Sequence, residues 1–435
     1  MRIERLDAEQ VGRLGGPALV ASHLRSLVPD GASVERAVRE IVDRVRAEGE
    51  EAVRDYTRRF DTAGGEPGPV VVAPEELDRA IKLLPLELVA GLQVAIANVA
   101  LVAQAGVSED VTVELPQGQR IALREVPVGS AAVYVPGGRA SYPSTVVMGV
   151  VTARAAGVLD VAVCTPPGAD GQIDPTILGV CRLCGVERVY RMGGAQAIAA
   201  LAYGTETVDR VDVVVGPGNL YVQEAKRLLS ATIGIDGFAG PSDLLVLLGA
   251  DAGEEDVRLA ALDMLAQGEH GEASLVVAAS PDASIIDTLA AMLERLVVER
   301  PTVGEDAFAL VEGSDARGAL ELANAFAPEH LQLIGEEMEA LAPMVGSAGC
   351  LFVGTPSATA FGDYVAGSNH VLPTGGAARF ASVLSARHFR RRMAEVRIGP
   401  GAGKLAAAGA PIARAEGFEV HAESMEARVR ENPRP

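Results

Sequence analysis

Six histidines occur in 435 residues, and four of them stand beside other groups able to do chemistry. They are His270 in AQGEH, His330 in APEH, His370 in GSNH and His421 in EGFEVH. Gln267 and His270 lie three apart at the end of a segment with helical periodicity. That spacing projects both side chains from one face, where they are able to share a metal ion. Glu329 and His330 follow Pro328, which predicts the first turn of a helix. An adjacent carboxylate and imidazole suit a general acid–base pair, because the imidazole titrates near neutrality. Taken one by one, each group is more ordinary as a satisfied surface or core residue. His23 and His388 read as surface residues. The residues by themselves indicate an α/β enzyme with a candidate His/Asp/Gln metal site.

Two nucleotide motifs are missing. GPGAGKL at 399–405 has the wrong glycine spacing for a phosphate loop, and Leu405 stands where a hydroxyl is needed. No G-x-G-x-x-G opens a helix after a strand; PGG at 136–138, GGAQ at 193–196 and GPGN at 216–219 are turns of another type. Cys181 and Cys184 form the only C-x-x-C, inside the apolar stretch TILGVCRLCGV, where core packing is the better reading than a zinc or redox pair.

The elements that must position these groups follow from periodicity. Val34, Val38, Ile41, Val42 and Val45, behind Ser33 as N-cap, predict a helix, and Gly49 divides it from a second one ending near 60. A longer helical region spans about 74 to 105. From about 120 to 240, short β-branched runs end in Gly or Pro turns and lead into helical segments, as in βαβ units of a parallel sheet. Ligands bind such sheets at the carboxyl ends of the strands. A second α/β stretch starts at Leu244, and an Ala-, Gly- and Arg-rich tail begins near 382.

Composition narrows the partners. Thirty-eight basic against 58 acidic residues give a net charge of −20, which disfavours nucleic acid and anionic membrane surfaces. The apolar stretch 81–107 is broken by Lys82, Glu87, Gln93 and Asn98, so it reads as a packed helix and not a membrane span. MRIERLDAEQ lacks a secretory apolar run, and four cysteines form no disulfide framework, so the expected location is cytoplasmic.

Read together, the motifs resemble the histidinol dehydrogenase family from about residue 34 to 425. They include VYVPGGRASYPSTVVM, RMGGAQAIAALAYGT, VVGPGNLYVQEAKR, AGPSDLLVL and LAQGEHG, followed by FAPEHLQL, AFGDYVAGSNHVLPTGGAARF and ARAEGFEVHAESMEARV. The resemblance implies an NAD-dependent homodimer with shared active sites and one zinc per subunit. Such an enzyme oxidises L-histidinol through L-histidinal to L-histidine, the last two steps of histidine biosynthesis, with two NAD. It implies Gln267, His270, Asp363 and His421 as zinc ligands, with His421 reaching the other subunit's site, and the metal mainly holding the substrate. His330 would take the alcohol proton and Glu329 would activate water. Ser242 and Glu416 would hold the substrate together with the ligands and His330, Glu416 by pairing with the ammonium group. Tyr134, Gln196 and Asn219 would bind NAD; the role of His370 is left open.

The expected fold is two successive α/β, incomplete Rossmann-like domains with parallel sheets. Residues 34–129 with 242–381 would carry most metal and catalytic groups, and 130–241 would bind NAD. A helical segment (1–33) precedes them, and a dimerisation tail (382–435) would supply the zinc ligand in trans. Two departures from the family pattern are Gly268, where alanine is expected, and Thr152, where proline is frequent. A paralogue acting on a sulfonated diol is a rival reading, but the Glu416 carboxylate would repel a sulfonate. A relative that has lost catalysis is another, which retention of Glu329 and His330 disfavours.

Overall fold

The computed structural model describes residues 2–28, 33–137, 141–237, 240–270, 274–304 and 307–430. Gly138, Ala239 and Gly271, which fall within the motifs quoted above, lie outside them. By contacts the chain divides into two units, Met1–Ala105 with Gly129–Phe389, and Gly106–Val128 with Arg390–Pro435.

The first unit contains two parallel sheets. The smaller has five strands in the order Arg188–Arg191, Asp160–Thr165, Ser130–Tyr134, Val213–Val215, Gly234–Ile235. Its strands Asp160–Thr165, Ser130–Tyr134 and Val213–Val215 are built mainly of Val and Ala and are buried on both faces, as parallel sheets require. One face, with Ala132, Tyr134, Ala162 and Cys164, packs on Val38, Ile41, Val42 and Val45 of the helix Glu35–Glu48 and on the helix Gly194–Tyr203. The expected break at Gly49 is present: its φ of 61° separates Glu35–Glu48 from Glu50–Phe60. Ser33 does not cap; Val34 occupies that position without a side-chain bond. On the opposite face runs the helix Pro143–Ala155, so close that a Cβ on Gly149 would stand 2.5 Å from Val133 Cγ1.

The larger sheet has six strands, ordered Arg2–Leu6, Ala307–Glu312, Leu275–Ser280, Asp243–Leu248, His330–Ile334, Cys350–Val353. Its edge strand Arg2–Leu6 precedes the N-terminal helices and pairs in parallel with Ala307–Glu312. Leu245, Leu247, Val277, Leu331 and Leu333 pack toward the helices Pro17–Arg25 and Ala316–Phe326. Leu244, Val246, Leu248 and Val276 pack toward Glu254–Gln267 and Ala283–Val297. One helix of the described residues, Leu86–Ala105, is long and apolar enough by length and composition to cross a membrane. It packs on the helix Pro143–Ala155, and its Asn98 donates to Val365 O at 2.8 Å.

The second unit is an antiparallel sheet, Arg390–Arg397 beside Arg120–Pro127 beside Val111–Glu114, with two helices, Ala402–Ala415 and Glu419–Arg430. Ala410, Ala413 and Ala422 close its small core, with Met425 packed against them.

Candidate active site

Pro328 opens no helix. The helix Ala316–Phe326 stops at Ala327, whose φ of 50° is left-handed, and the chain passes straight into the buried strand His330–Ile334 between two neighbours. Burial in a parallel sheet overrides the local proline signal, and Glu329 and His330 therefore stand at the amino end of the strand. Ser242 also sits at an amino end, just before Asp243–Leu248.

Glu329 is buried, and its Oε2 accepts from the Ser242 hydroxyl and from the Asp243 N–H at 3.0 Å. Its own N–H donates to Asp243 Oδ1 at 2.7 Å. Asp243 is in turn held by Arg25 at 3.1 Å and by the Gly375 N–H at 3.3 Å. Desolvation pushes Glu329 up to about 7, with the charge of Asp243 adding to the effect; the hydrogen bonds and His330 only partly oppose it. Gln267, buried at the end of Glu254–Gln267, donates its amide to Ser242 Oγ at 2.9 Å. A single chain of bonds thus joins Gln267, Ser242 and Glu329.

His330 is buried between two carboxylates, Nε2 3.6 Å from Asp363 Oδ1 and Nδ1 3.9 Å from Glu329 Oε2. Nδ1 has no hydrogen-bond partner among the described residues. Burial disfavours the imidazolium, but Asp363 and Glu329 outweigh it and the pKa moves up. Asp363 belongs to the short helix Thr359–Tyr364. Burial would raise its pKa, yet His330, His370 and His270 together hold it below the ordinary value. His270 is exposed by area, but protein around its ring lowers its pKa by desolvation, against the pull of Asp363. His370 is also held down by desolvation; its ring bridges Asp363 O at 3.0 Å and Thr145 Oγ1 at 3.2 Å. Ser242, Gln267, His270, Glu329, His330, Asp363 and His370 therefore form one cluster. Among the described residues, however, no three His, Cys, Asp or Glu side chains are grouped to hold a metal by themselves.

Tyr134, Gln196 and Asn219 line a separate cleft of about 1090 Å³ at the carboxyl ends of the smaller sheet. The Tyr134 hydroxyl accepts from Gly194 N–H at 3.1 Å, and desolvation raises its pKa. Asn219 caps the helix Leu220–Leu229 by accepting from Tyr221 and Val222 N–H. The turn before it is braced from below. Gly216 donates to Asp236 at 2.7 Å and accepts from the buried Lys226, which pairs with Asp236 at 2.7 Å. Gly216 has φ 115°, and a Cβ there would lie 2.1 Å from Tyr134 O. Glu416 and His421 belong to the second unit, Glu416 as the cap of Ala402–Ala415 and His421 in the following helix, its ring 5.2 Å from Phe418; both are exposed.

Motif reading touches several supporting residues without showing what they hold. Gln332 donates to Asp263 at 2.7 Å and to Ser357 O at 3.2 Å, tying the helix that ends in Gln267 to the segment before Asp363. Thr152, the departure from proline, accepts from Asn369 at 3.1 Å and donates to Met148 O at 2.6 Å, so it anchors the residue beside His370. Gly268, the departure from alanine, is fitted to its neighbours: a Cβ would meet Val303 at 3.0 Å and Phe308 at 3.3 Å. Cys181 is buried in the core and Cys184 half-buried, both as free thiols. His23 and His388 are half-buried rather than surface residues.

A sequence profile of the family described as histidinol dehydrogenase matches residues 27–429. Histidinol dehydrogenase of Parasynechococcus marenigrum (strain WH8102) is 41% identical over 403 residues, 91% of either chain. That of Gluconobacter oxydans (strain 621H) is 38% identical over 410 residues, 93% of this chain and 94% of its own. The crystal structure of histidinol dehydrogenase from Elizabethkingia anophelis matches with a TM-score of 0.88 at 28% identity, covering 99% of this chain and 98% of that one.

Proposed function

The chain belongs to the histidinol dehydrogenase family, oxidoreductases of histidine biosynthesis, and from that premise we propose how its residues divide a four-electron oxidation with two NAD. The observation that carries the reading is the pairing of two unlike proton acceptors, Glu329 and His330, at one buried strand end. His330, neutral, takes the hydroxyl proton of L-histidinol as hydride leaves the carbon for the nicotinamide, and Asp363 stabilises the imidazolium that forms. Glu329, ionised, then takes a proton from the water that adds to L-histidinal. The imidazolium of His330 returns its proton to the carbonyl oxygen as the hydrate forms. His330 takes a hydroxyl proton again as the hydrate loses a second hydride to a second NAD and becomes L-histidine. Ser242 and Glu416 hold the substrate, Glu416 through its ammonium group.

The donor set suits a zinc ion. Asp363 carries negative charge, His270 is held neutral as a ligand must be, and Gln267 turns its amide nitrogen to Ser242, leaving its oxygen as the donor. Gln267, His270 and Asp363 would bind it with the partner subunit's His421, and once bound it would supply a Lewis-acid anchor for the substrate. The cleft suits NAD through Tyr134, Gln196 and Asn219, since its volume fits a dinucleotide and Gln196 Nε2 is buried without a partner among the described residues.

We read the protein as a cytoplasmic homodimer. Leu86, Val94, Leu101 and Val102 are exposed on one helix, and Phe418 and Val420 in the second unit, apolar surface that a partner chain would cover. The test is NADH formation by purified protein with L-histidinol and NAD; no NADH under any metal supplementation would overturn the proposal.

A further inference from the structure

Asp61 follows the helix Glu50–Phe60 and lines the same cleft as Tyr134, Gln196 and Asn219, yet no motif pointed to it. One of its carboxylate oxygens, Oδ2, is buried with no hydrogen-bond partner among the described residues. The three arginines of its own helix are engaged elsewhere: Arg54 and Arg58 pair with Glu66, Arg58 also with Asp55, and Arg59 lies over the Phe60 ring at 5.2 Å. Both Asp61 and Tyr134 line the cleft, and the Asp61 charge adds to the effects that raise the Tyr134 pKa. In the same lining, Gln196 Nε2 is a buried donor that also lacks a partner among the described residues. One orphaned acceptor and one orphaned donor in a single cleft call for a ligand group of both senses.

We infer that Asp61 and Gln196 together hold a ribose hydroxyl of the dinucleotide, the hydroxyl donating to the Asp61 carboxylate and accepting from the Gln196 amide. A hydroxyl satisfies both atoms at once, whereas a phosphate offers only acceptors and would be repelled by the carboxylate. Burial, which lifts Asp61 to about 7, marks a carboxylate that lacks protein compensation. The inference rests on the reading of this cleft as the NAD site.

The test is calorimetric binding of NAD, and of analogues lacking one ribose hydroxyl on either the adenosine or the nicotinamide side, to wild type, Asp61→Asn and Asp61→Ala. Loss of a charge-assisted hydrogen bond predicts roughly 10- to 100-fold weaker NAD binding in both variants, with unchanged melting temperature in the isosteric Asp61→Asn. The wild type should lose comparable affinity for one of the four such analogues, the 2′- or 3′-deoxy form on either side, which tells which hydroxyl is held. The variants should show no further loss with that analogue. Variants that bind NAD as tightly as wild type, or a hydroxyl-removal penalty as large in the variants as in wild type, would overturn the inference. A wild-type chain that takes up no NAD would remove the reading of the cleft, and the inference with it.

Discussion

Replacing Glu329 by glutamine removes a charge and a proton acceptor while keeping the side chain's shape. The Asp243 N–H at 3.0 Å and the Ser242 hydroxyl, which share one carboxylate oxygen in the wild type, both still find the amide oxygen, and the new NH2 group takes the place of the other oxygen. Geometry at the strand end is therefore retained. What disappears is the base for aldehyde hydration, and general-base assistance accounts for about 10²- to 10⁴-fold, or roughly 3–5 kcal/mol of barrier. The first hydride transfer depends on His330 and should fall less than about 10-fold at pH 8. Its pH profile should move, and the sign is fixed by the pair at 3.9 Å. Glu329 helps raise the His330 pKa, so without that charge His330 becomes neutral at lower pH and the first step reaches its plateau sooner. In wild type the second step should rise with pH through about 7, where Glu329 ionises. Rapid-mixing single-turnover experiments, started from L-histidinol and separately from L-histidinal, resolve the two hydrides. The variant should deliver one NADH per site and stall. Equal loss of both hydrides, or loss of the first alone, would refute the division of labour.

Chelation should abolish turnover while leaving far-ultraviolet circular dichroism unchanged, because the two sheets pack through apolar cores without a metal; full activity of metal-free protein would contradict the zinc proposal. His270→Ala and His421→Ala chains, each inactive, should regain about a quarter of wild-type activity when mixed after reversible dissociation, since about half of the random dimers then hold one intact site. Recovery no greater than the parents' sum would place His421 in its own subunit's site. Gly216→Ala should cost about 2–4 kcal/mol, read as a lower melting temperature, because its Cβ would press on Tyr134 O at a left-handed φ; NAD affinity should fall with it.

Local patterns reveal much of this fold. The heptad-like valines of 34–45, the break at Gly49 and the strand-into-glycine turns of 160–219 all form the elements their periodicity predicts. Long-range pairing is different. Nothing in RIERL announces that Arg2–Leu6 completes a sheet with residues about 300 positions away, and nothing in 111–127 announces a partner strand at 390–397. Proline at 328 misleads because the signal it gives is local, while the strand is imposed by neighbours on both sides. The expectation that ligands gather at carboxyl strand ends describes the cleft around Tyr134, but Ser242, Glu329 and His330 lie at amino ends of the larger sheet. The quoted motifs contain Asp243 and Gln332, and Thr152 stands out as a departure, but nothing in them shows what these residues or Arg25 hold, because they act on side chains or backbone brought together by tertiary folding.

The central claim is that one site carries a single alcohol through both oxidations. Product stoichiometry with limiting L-histidinol and excess NAD tests it most directly, with NADH counted by absorbance and the organic product identified by mass spectrometry. The account predicts two NADH for each L-histidinol consumed and L-histidine as the only product. One NADH with free L-histidinal accumulating, in protein whose metal site has been filled, would contradict it.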